Sequence, residues 1–220
     1  MSDLAGIFPA IPPGSGPVAL LSSNEFTPAA GEFDRAMLDA ARGMRVAIIV
    51  AAAGADAPNA ARHGIDHYRR FGADPHPVEV TGREQAERGM LGDFDVLFMC
   101  GGSPRTLLRA LLGSPLWDEA IERWQGGAML AGSSAGAMAL CTRCLLPDPG
   151  AHVPTRWVEG LGPLDGVALA VHADERPREW LKQVARTAPC PVAALDCDTG
   201  VILRAGEPPL VAGPGRVYRP

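Results

Sequence analysis

Several things are scarce in this chain, and each scarcity excludes something. The longest apolar stretch, residues 46–53 within RVAIIVAAAGA, is far shorter than the roughly 20 residues a membrane helix requires. Lysine occurs once, at Lys182, and the net charge is -5, so no basic run exists to neutralise a nucleic-acid backbone. The first residues, MSDLAGIFPAIPPGSG, lack a basic segment followed by an apolar one, so they do not read as a secretory signal, and a cytoplasmic location is expected. Five cysteines, an odd number, argue against a disulfide framework and for reduced thiols. Aromatic residues make up only 5% of the chain.

The 220 residues suffice to bury a core without staples, and 47% hydrophobic against 20% charged residues describe a globular chain. A single domain over 1–220 is expected, with 1–16 as an extended N-terminal segment. Short apolar runs alternate with helical stretches. Strands are expected at 18–22, 45–52, 77–80, 95–100, 128–132, 167–171, 192–195 and 201–204. Helices are expected near 32–43, 57–71, 103–112, 115–125, 134–144 and 176–188. This rhythm is that of an α/β fold with one doubly wound, mostly parallel sheet and helices on both faces. The early runs are nearly continuous in apolar residues, as strands buried on both faces must be.

The stretch AMLAGSSAGAMAL carries the chemistry. A strand meets Gly132-Ser133-Ser134-Ala135-Gly136 and a helix follows, which is G-x-S-x-G in the context of a nucleophile elbow. There the serine projects above the sheet, and the following helix N-terminus favours an oxyanion. Ser134 is the candidate nucleophile. A serine needs a base and a group to orient it, in the chain order nucleophile, acid, histidine. His172 ends the strand VALAV and is the candidate base; Asp148 in LLPDPG is the candidate acid. MCGGSPRTLL is a second glycine-rich loop, and the N–H groups of Gly102 and Ala135 would form a two-donor oxyanion hole. It is not a dinucleotide fingerprint, because the G-x-G-x-x-G spacing is absent. His63 and His67, four apart, read as a solvated helix face, and His76 and His152 as loop residues. Cys141-Thr142-Arg143-Cys144 falls late in the helix after the elbow, away from the N-terminal position that stabilises a thiolate. No metal and no organic cofactor is expected.

Four segments, DVLFMCGGSPRTLL, LAGSSAGAMAL, GLGPLDGVALAVHADERPR and VAALDCDTGVIL, together resemble the dipeptidase E and cyanophycinase family of serine peptidases, from about Asp95 to Leu203. The marks are the Ser-Ala-Gly-Ala turn at 134–137, Gly-Leu-Gly-x-Leu at 160–164, and His172 followed by Arg176 and Arg178. Leu195-Asp196-Cys197-Asp198-Thr199 is similar to the family's Ile-Asp-Glu-x-Thr. The resemblance implies a class I glutamine-amidotransferase-like fold, Ser134 as nucleophile and His172 as base. It further implies short aspartyl peptides as substrates. A carboxylate side chain calls for arginine, and Arg105, Arg143, Arg176 and Arg178 are candidates. The chain departs from the family at the oxyanion loop, where Gly-Gly-Gly-Asn-Thr is usual and Cys100-Gly101-Gly102-Ser103-Pro104 stands here, so Ser103 takes the substrate-facing Asn position. The expected partners are a small peptide and a second copy in a homodimer. The alternative reading is a catalytically degenerate small-metabolite-binding protein of the same fold. Glutamine amidotransfer would call for cysteine at the elbow, where Ser134 stands.

Overall fold

A computed structural model describes residue 4 and residues 6–146 and 156–220. Its centre is a seven-stranded sheet in the order β11-β10-β1-β5-β4-β2-β3. The five strands β1 (Val18–Leu21), β2 (Arg45–Ile49), β3 (Asp74–Val78), β4 (Val96–Met99) and β5 (Met129–Ser133) are mutually parallel. Every residue of β1, β4 and β5 is buried, so both faces of the sheet are covered, as the unbroken apolar runs require. β10 (Gly200–Leu203) and β11 (Leu210–Ala212) extend the sheet antiparallel beyond β1. β3 contains Pro75 and Pro77 and occupies the opposite edge, where a missing N–H leaves no gap in a ladder. This strand begins earlier than the 77–80 expected, and it places His76 on a strand rather than in a loop.

The helices are α1 (Gly31–Ala40), α2 (Ala57–Arg70), α3 (Arg83–Arg88), α4 (Pro104–Leu111), α5 (Pro115–Gln125), α6 (Ala135–Ala139) and α7 (Arg178–Thr187). Ser103 and Ser114 cap α4 and α5 by accepting the N–H of Thr106 and Trp117, each followed by proline at the first helical position. Among the described residues no helix is long and apolar enough to cross a membrane.

Three expectations need correction. First, VALAV and VAAL do not join the central sheet. β8 (Ala168–Ala170) and β9 (Val192–Leu195) pair parallel in a separate sheet completed by β12 (Val217–Tyr218). Second, the helix expected over 134–144 ends at Ala139. Cys141 bridges to Leu164, and Cys144 lies on β6 (Arg143–Leu146), which pairs with β7 (Arg156–Glu159). Both thiols are buried and raised by desolvation, that of Cys144 to about 12, so neither is poised for thiolate chemistry.

Third, His67 is not solvated. Its Nε2 lies 2.7 Å from Asp34 Oδ2 with both side chains buried, and Tyr68 donates to Asp34 Oδ1 at 3.3 Å. The inner face of α2 carries Gly64, His67 and Tyr68, and a buried carboxylate on α1 needs those donors. His63, one turn earlier, does stay exposed.

Small residues let α6 press onto the sheet. A Cβ at Gly132 would sit 2.5 Å from the backbone carbon of Gly136, and one at Gly136 would sit 2.2 Å from the Met99 carbonyl oxygen. Both contacts are with backbone, which cannot rotate away. Gly132→Ala or Gly136→Ala should therefore destabilise the protein by about 2 kcal/mol or more, the range for overpacking a well-packed core. Thermal unfolding checks this, and an unchanged midpoint would refute the close approach.

Candidate active site

Between β5 and α6 the chain turns at Ser134, whose backbone adopts φ 47° and ψ -106°. A side-chain-bearing residue in this region is strained and persists only when its surroundings hold it. Here they do: the Ser134 N–H donates to the Leu21 carbonyl at 2.9 Å, and its own carbonyl accepts the N–H of Met138. The strain turns Oγ outward to meet His172, with Oγ and Nε2 3.1 Å apart.

His172 arrives from the second sheet. It follows β8 in the left-handed region, φ 55° and ψ 41°. Its N–H donates to Ser22 Oγ at 2.8 Å, and that hydroxyl donates to the Leu195 carbonyl on β9 at 3.0 Å. Fully buried Ser22, just beyond β1, thus joins both sheets beneath the imidazole. Desolvation pulls His172 below its ordinary value of 6.5, outweighing the opposing pull of Glu175, so the ring is neutral near pH 7. Its second nitrogen, Nδ1, faces Cys197 Sγ at 3.8 Å and Glu175 Oε2 at 3.9 Å. Cys197 follows β9, and its N–H donates to Asp174 Oδ1 at 2.7 Å, holding that carboxyl below the usual range.

The loop Gly101-Gly102 lies against the elbow: a Cβ on Gly101 would be 3.2 Å from the Ser134 Cβ. Gly102 has φ 128°, and a Cβ there would strike the Ala52 carbonyl at 2.2 Å, so only glycine fits. The Gly101 N–H is already engaged by Glu25 Oε1 at 2.6 Å, while Glu25 Oε2 accepts Ser133 Oγ at 2.7 Å. Ala135, the first residue of α6, has an N–H with no intrahelical acceptor. A cleft of about 360 Å³ opens beside the loop, walled by Glu25, Phe26, Asp56, His63 and Gly101-Gly102.

The structure brings together Ser134, His172, Gly102 and Ala135. Asp148 lies outside the described residues, as does His152. The Ser103 hydroxyl serves as the helix cap of α4. Arg105 is half-buried in the first turn of α4. Arg176 is exposed, its guanidinium 5.3 Å from the centre of the Trp180 ring, and Arg178 opens α7 equally exposed. None of the three makes a hydrogen bond or ion pair to Ser134 or His172 among the described residues. Ser22, Glu25 and Cys197 were not anticipated. The signal for the first two is the polar run Ser22-Ser23-Asn24-Glu25 directly after the apolar VALL, where a parallel strand delivers residues to the carboxyl edge of its sheet.

A serine on a strained strand-to-helix turn, a neutral imidazole at hydrogen-bond distance and a glycine loop alongside are the arrangement of a serine hydrolase. The model of Peptidase family S51 matches residues 18–207, and the chain belongs to that family. It is thus a peptidase of the serine hydrolase class. The fold is similar to that of a peptidase from an acI-B1 Actinobacterium, with a TM-score of 0.78 and 26% identity over 93% of this chain and 90% of that one. A Listeria monocytogenes EGD-e protein described as a peptidase E shares the fold, with a TM-score of 0.62 and 12% identity over 93% of this chain and 98% of that one. No curated protein sequence matches significantly.

Two substitutions probe the frame. Ser22→Ala leaves the His172 N–H and the Leu195 carbonyl without their partner, so a loss of about 1–3 kcal/mol in stability is expected together with a fall in kcat. Glu25→Ala frees the Gly101 amide and should lower kcat by about tenfold or more with little change in KM, whereas Glu25→Gln keeps an acceptor for that amide and should retain most of the rate. Equal rates for wild type and Glu25→Ala would show that the loop needs no such anchor.

Proposed function

We propose that this protein is a dipeptidase that cleaves short peptides, aspartyl dipeptides foremost, by acyl transfer through Ser134. The observation that carries the reading is the 3.1 Å approach of Ser134 Oγ to Nε2 of a neutral His172 on a strained elbow. Ser134 attacks the scissile carbonyl while His172 takes its proton. The N–H groups of Gly102 and Ala135 receive the developing oxyanion, His172 returns the proton to the leaving amine, and water releases the acyl group. Asp148 is the proposed acid of the triad. Among the described carboxylates Glu175 comes nearest Nδ1, at 3.9 Å, beyond hydrogen-bond distance.

Preference for an aspartyl side chain rests on the resemblance to dipeptidase E, with Arg105, Arg176 and Arg178 as the candidate forks. The odd number of cysteines, with no disulfide among the described residues, favours work inside the cell.

The test is a turnover screen of Asp-Xaa, β-Asp-Xaa and non-acidic dipeptides, read by mass spectrometry, with wild type, Ser134→Ala and Asp148→Asn. Wild type is expected to hydrolyse the aspartyl peptides. Ser134→Ala should lose at least about 10³-fold in rate with the fold unchanged, and Asp148→Asn should fall steeply. Hydrolysis confined to non-acidic peptides would discard the aspartyl preference. Full activity in Ser134→Ala would remove the serine mechanism. Inactivity of wild type on every peptide, with saturable binding of a small metabolite, would favour the degenerate binding protein.

A further inference from the structure

Behind the imidazole, on its Nδ1 side, stand two side chains to which the proposed hydrolysis gives no role, Cys197 and Glu175. His172 Nδ1, Cys197 Sγ and Glu175 Oε2 converge from two turns, with the histidine 3.8 Å from the sulfur and 3.9 Å from the carboxylate, and all three atoms within 4.8 Å of one another. Among the described residues this is the one such group of three. We propose that these three side chains form a zinc site that switches the peptidase off.

The donor set is the first argument. One imidazole, one thiolate and one carboxylate are zinc ligands, and three protein ligands with an open fourth position are the usual form of a non-structural zinc site. Spacing is the second. Zinc bonds of about 2.0 Å to nitrogen and oxygen and 2.3 Å to sulfur, arranged tetrahedrally, put ligand atoms about 3.3–3.6 Å apart. The two separations from Nδ1, 3.8 Å and 3.9 Å, need to close by less than about an ångström, and the remaining one, within 4.8 Å, by about an ångström or a little more. Glu175 can supply most of that movement, since its side chain is 68% exposed and, among the described residues, paired with no side chain but His172. Cys197 is held more firmly, through its N–H to Asp174.

The site engages Nδ1, the nitrogen whose hydrogen the triad acid would hold during hydrolysis, and the two uses of the ring exclude each other. To accept the Ser134 proton, His172 must carry its hydrogen on Nδ1 and a lone pair on Nε2. A neutral imidazole bound to zinc through Nδ1 carries its hydrogen on Nε2 instead, where it can donate to Ser134 Oγ but cannot take a proton from it. Coordination also releases the Cys197 thiol proton to solvent. Oxidation of Cys197 is the weaker alternative for this sulfur. Desolvation pushes its thiol up to about 12, so little reactive thiolate is present, whereas a metal removes the proton directly.

The effect on turnover rests on His172 as base; the metal site does not. Zn²⁺ is therefore titrated into metal-free protein against a chromogenic zinc indicator, and Co²⁺ binding is followed by its thiolate-to-cobalt charge-transfer band. The proteins are wild type, Ser134→Ala, Cys197→Ala and Glu175→Gln, each checked for folding by circular dichroism. Wild type and Ser134→Ala should each bind one equivalent and show the band. Cys197→Ala should bind at least about tenfold more weakly and lose the band, and Glu175→Gln, altered at an exposed side chain, should also weaken. Undiminished affinity in Cys197→Ala, or cobalt bound to wild type without the band, would overturn the site. In a parallel assay on aspartyl dipeptides, Zn²⁺ at full occupancy should stop hydrolysis by wild type and a chelator should restore it. Hydrolysis continuing at full occupancy would overturn the switch. Failure of metal-free wild type to hydrolyse any peptide would count against the peptidase reading, and the binding titration would still decide the metal site.

Discussion

Everything at this site depends on one buried hydroxyl. Ser22 receives the His172 N–H and gives its own proton to the Leu195 carbonyl, so the end of β1 in the large sheet is joined to β8 and β9 of the small one. Two sheets with separate hydrogen-bond ladders have no other obligation to hold a serine and an imidazole 3.1 Å apart. Ser23 and Asn24 reinforce the joint by binding Asp198 through its N–H and its carboxylate. Glu25 extends it to the glycine loop and to Ser133. Four consecutive residues after β1 therefore set the relative positions of the elbow, the imidazole and the glycine loop.

Positive backbone φ is gathered at this seam, at Asn24, Phe26 and Asp198 as well as at Ser134 and His172. Ser134 and His172 both adopt positive φ, where a side chain is disfavoured by about 1–3 kcal/mol. Each is over-determined, Ser134 by its bond to Leu21 on β1 and by the glycine-only approach of α6, His172 by Ser22. Desolvation at the same place keeps the imidazole neutral. Geometry and protonation state thus follow from a single cause, the burial of the seam between the sheets.

Much of this could be read from the amino acids in order, because the relevant signals are local. Unbroken apolar runs marked the buried parallel strands, and G-x-S-x-G at a strand-to-helix junction marked Ser134. What stayed hidden depends on which strand lies beside which. VALAV looked like one more strand of the central sheet because apolar periodicity carries no information about pairing partners. His67 looked solvated because its partner Asp34 is on another helix. Cys141-Thr142-Arg143-Cys144 contains no glycine or proline to end a helix, so the sequence reads as helical to 144, and pairing of β6 with β7 ends the helix instead. Glu25 sits in a polar run and Cys197 in the stretch 195–199, but which atoms they touch follows from proximity alone.

The order of the strands has a consequence for how the protein matures. β1, which carries the joint at its end, is flanked by β5 on one side and by β10 on the other, so its neighbours lie more than a hundred residues downstream. Closing such distant pairs is slow, and little local structure can compensate. During synthesis the elbow emerges long before His172 has a seat, and the seat is finished only when the last third of the chain is in place. A nascent or truncated polypeptide therefore carries the serine without the imidazole beside it, and the pair comes together in one step with the completed fold.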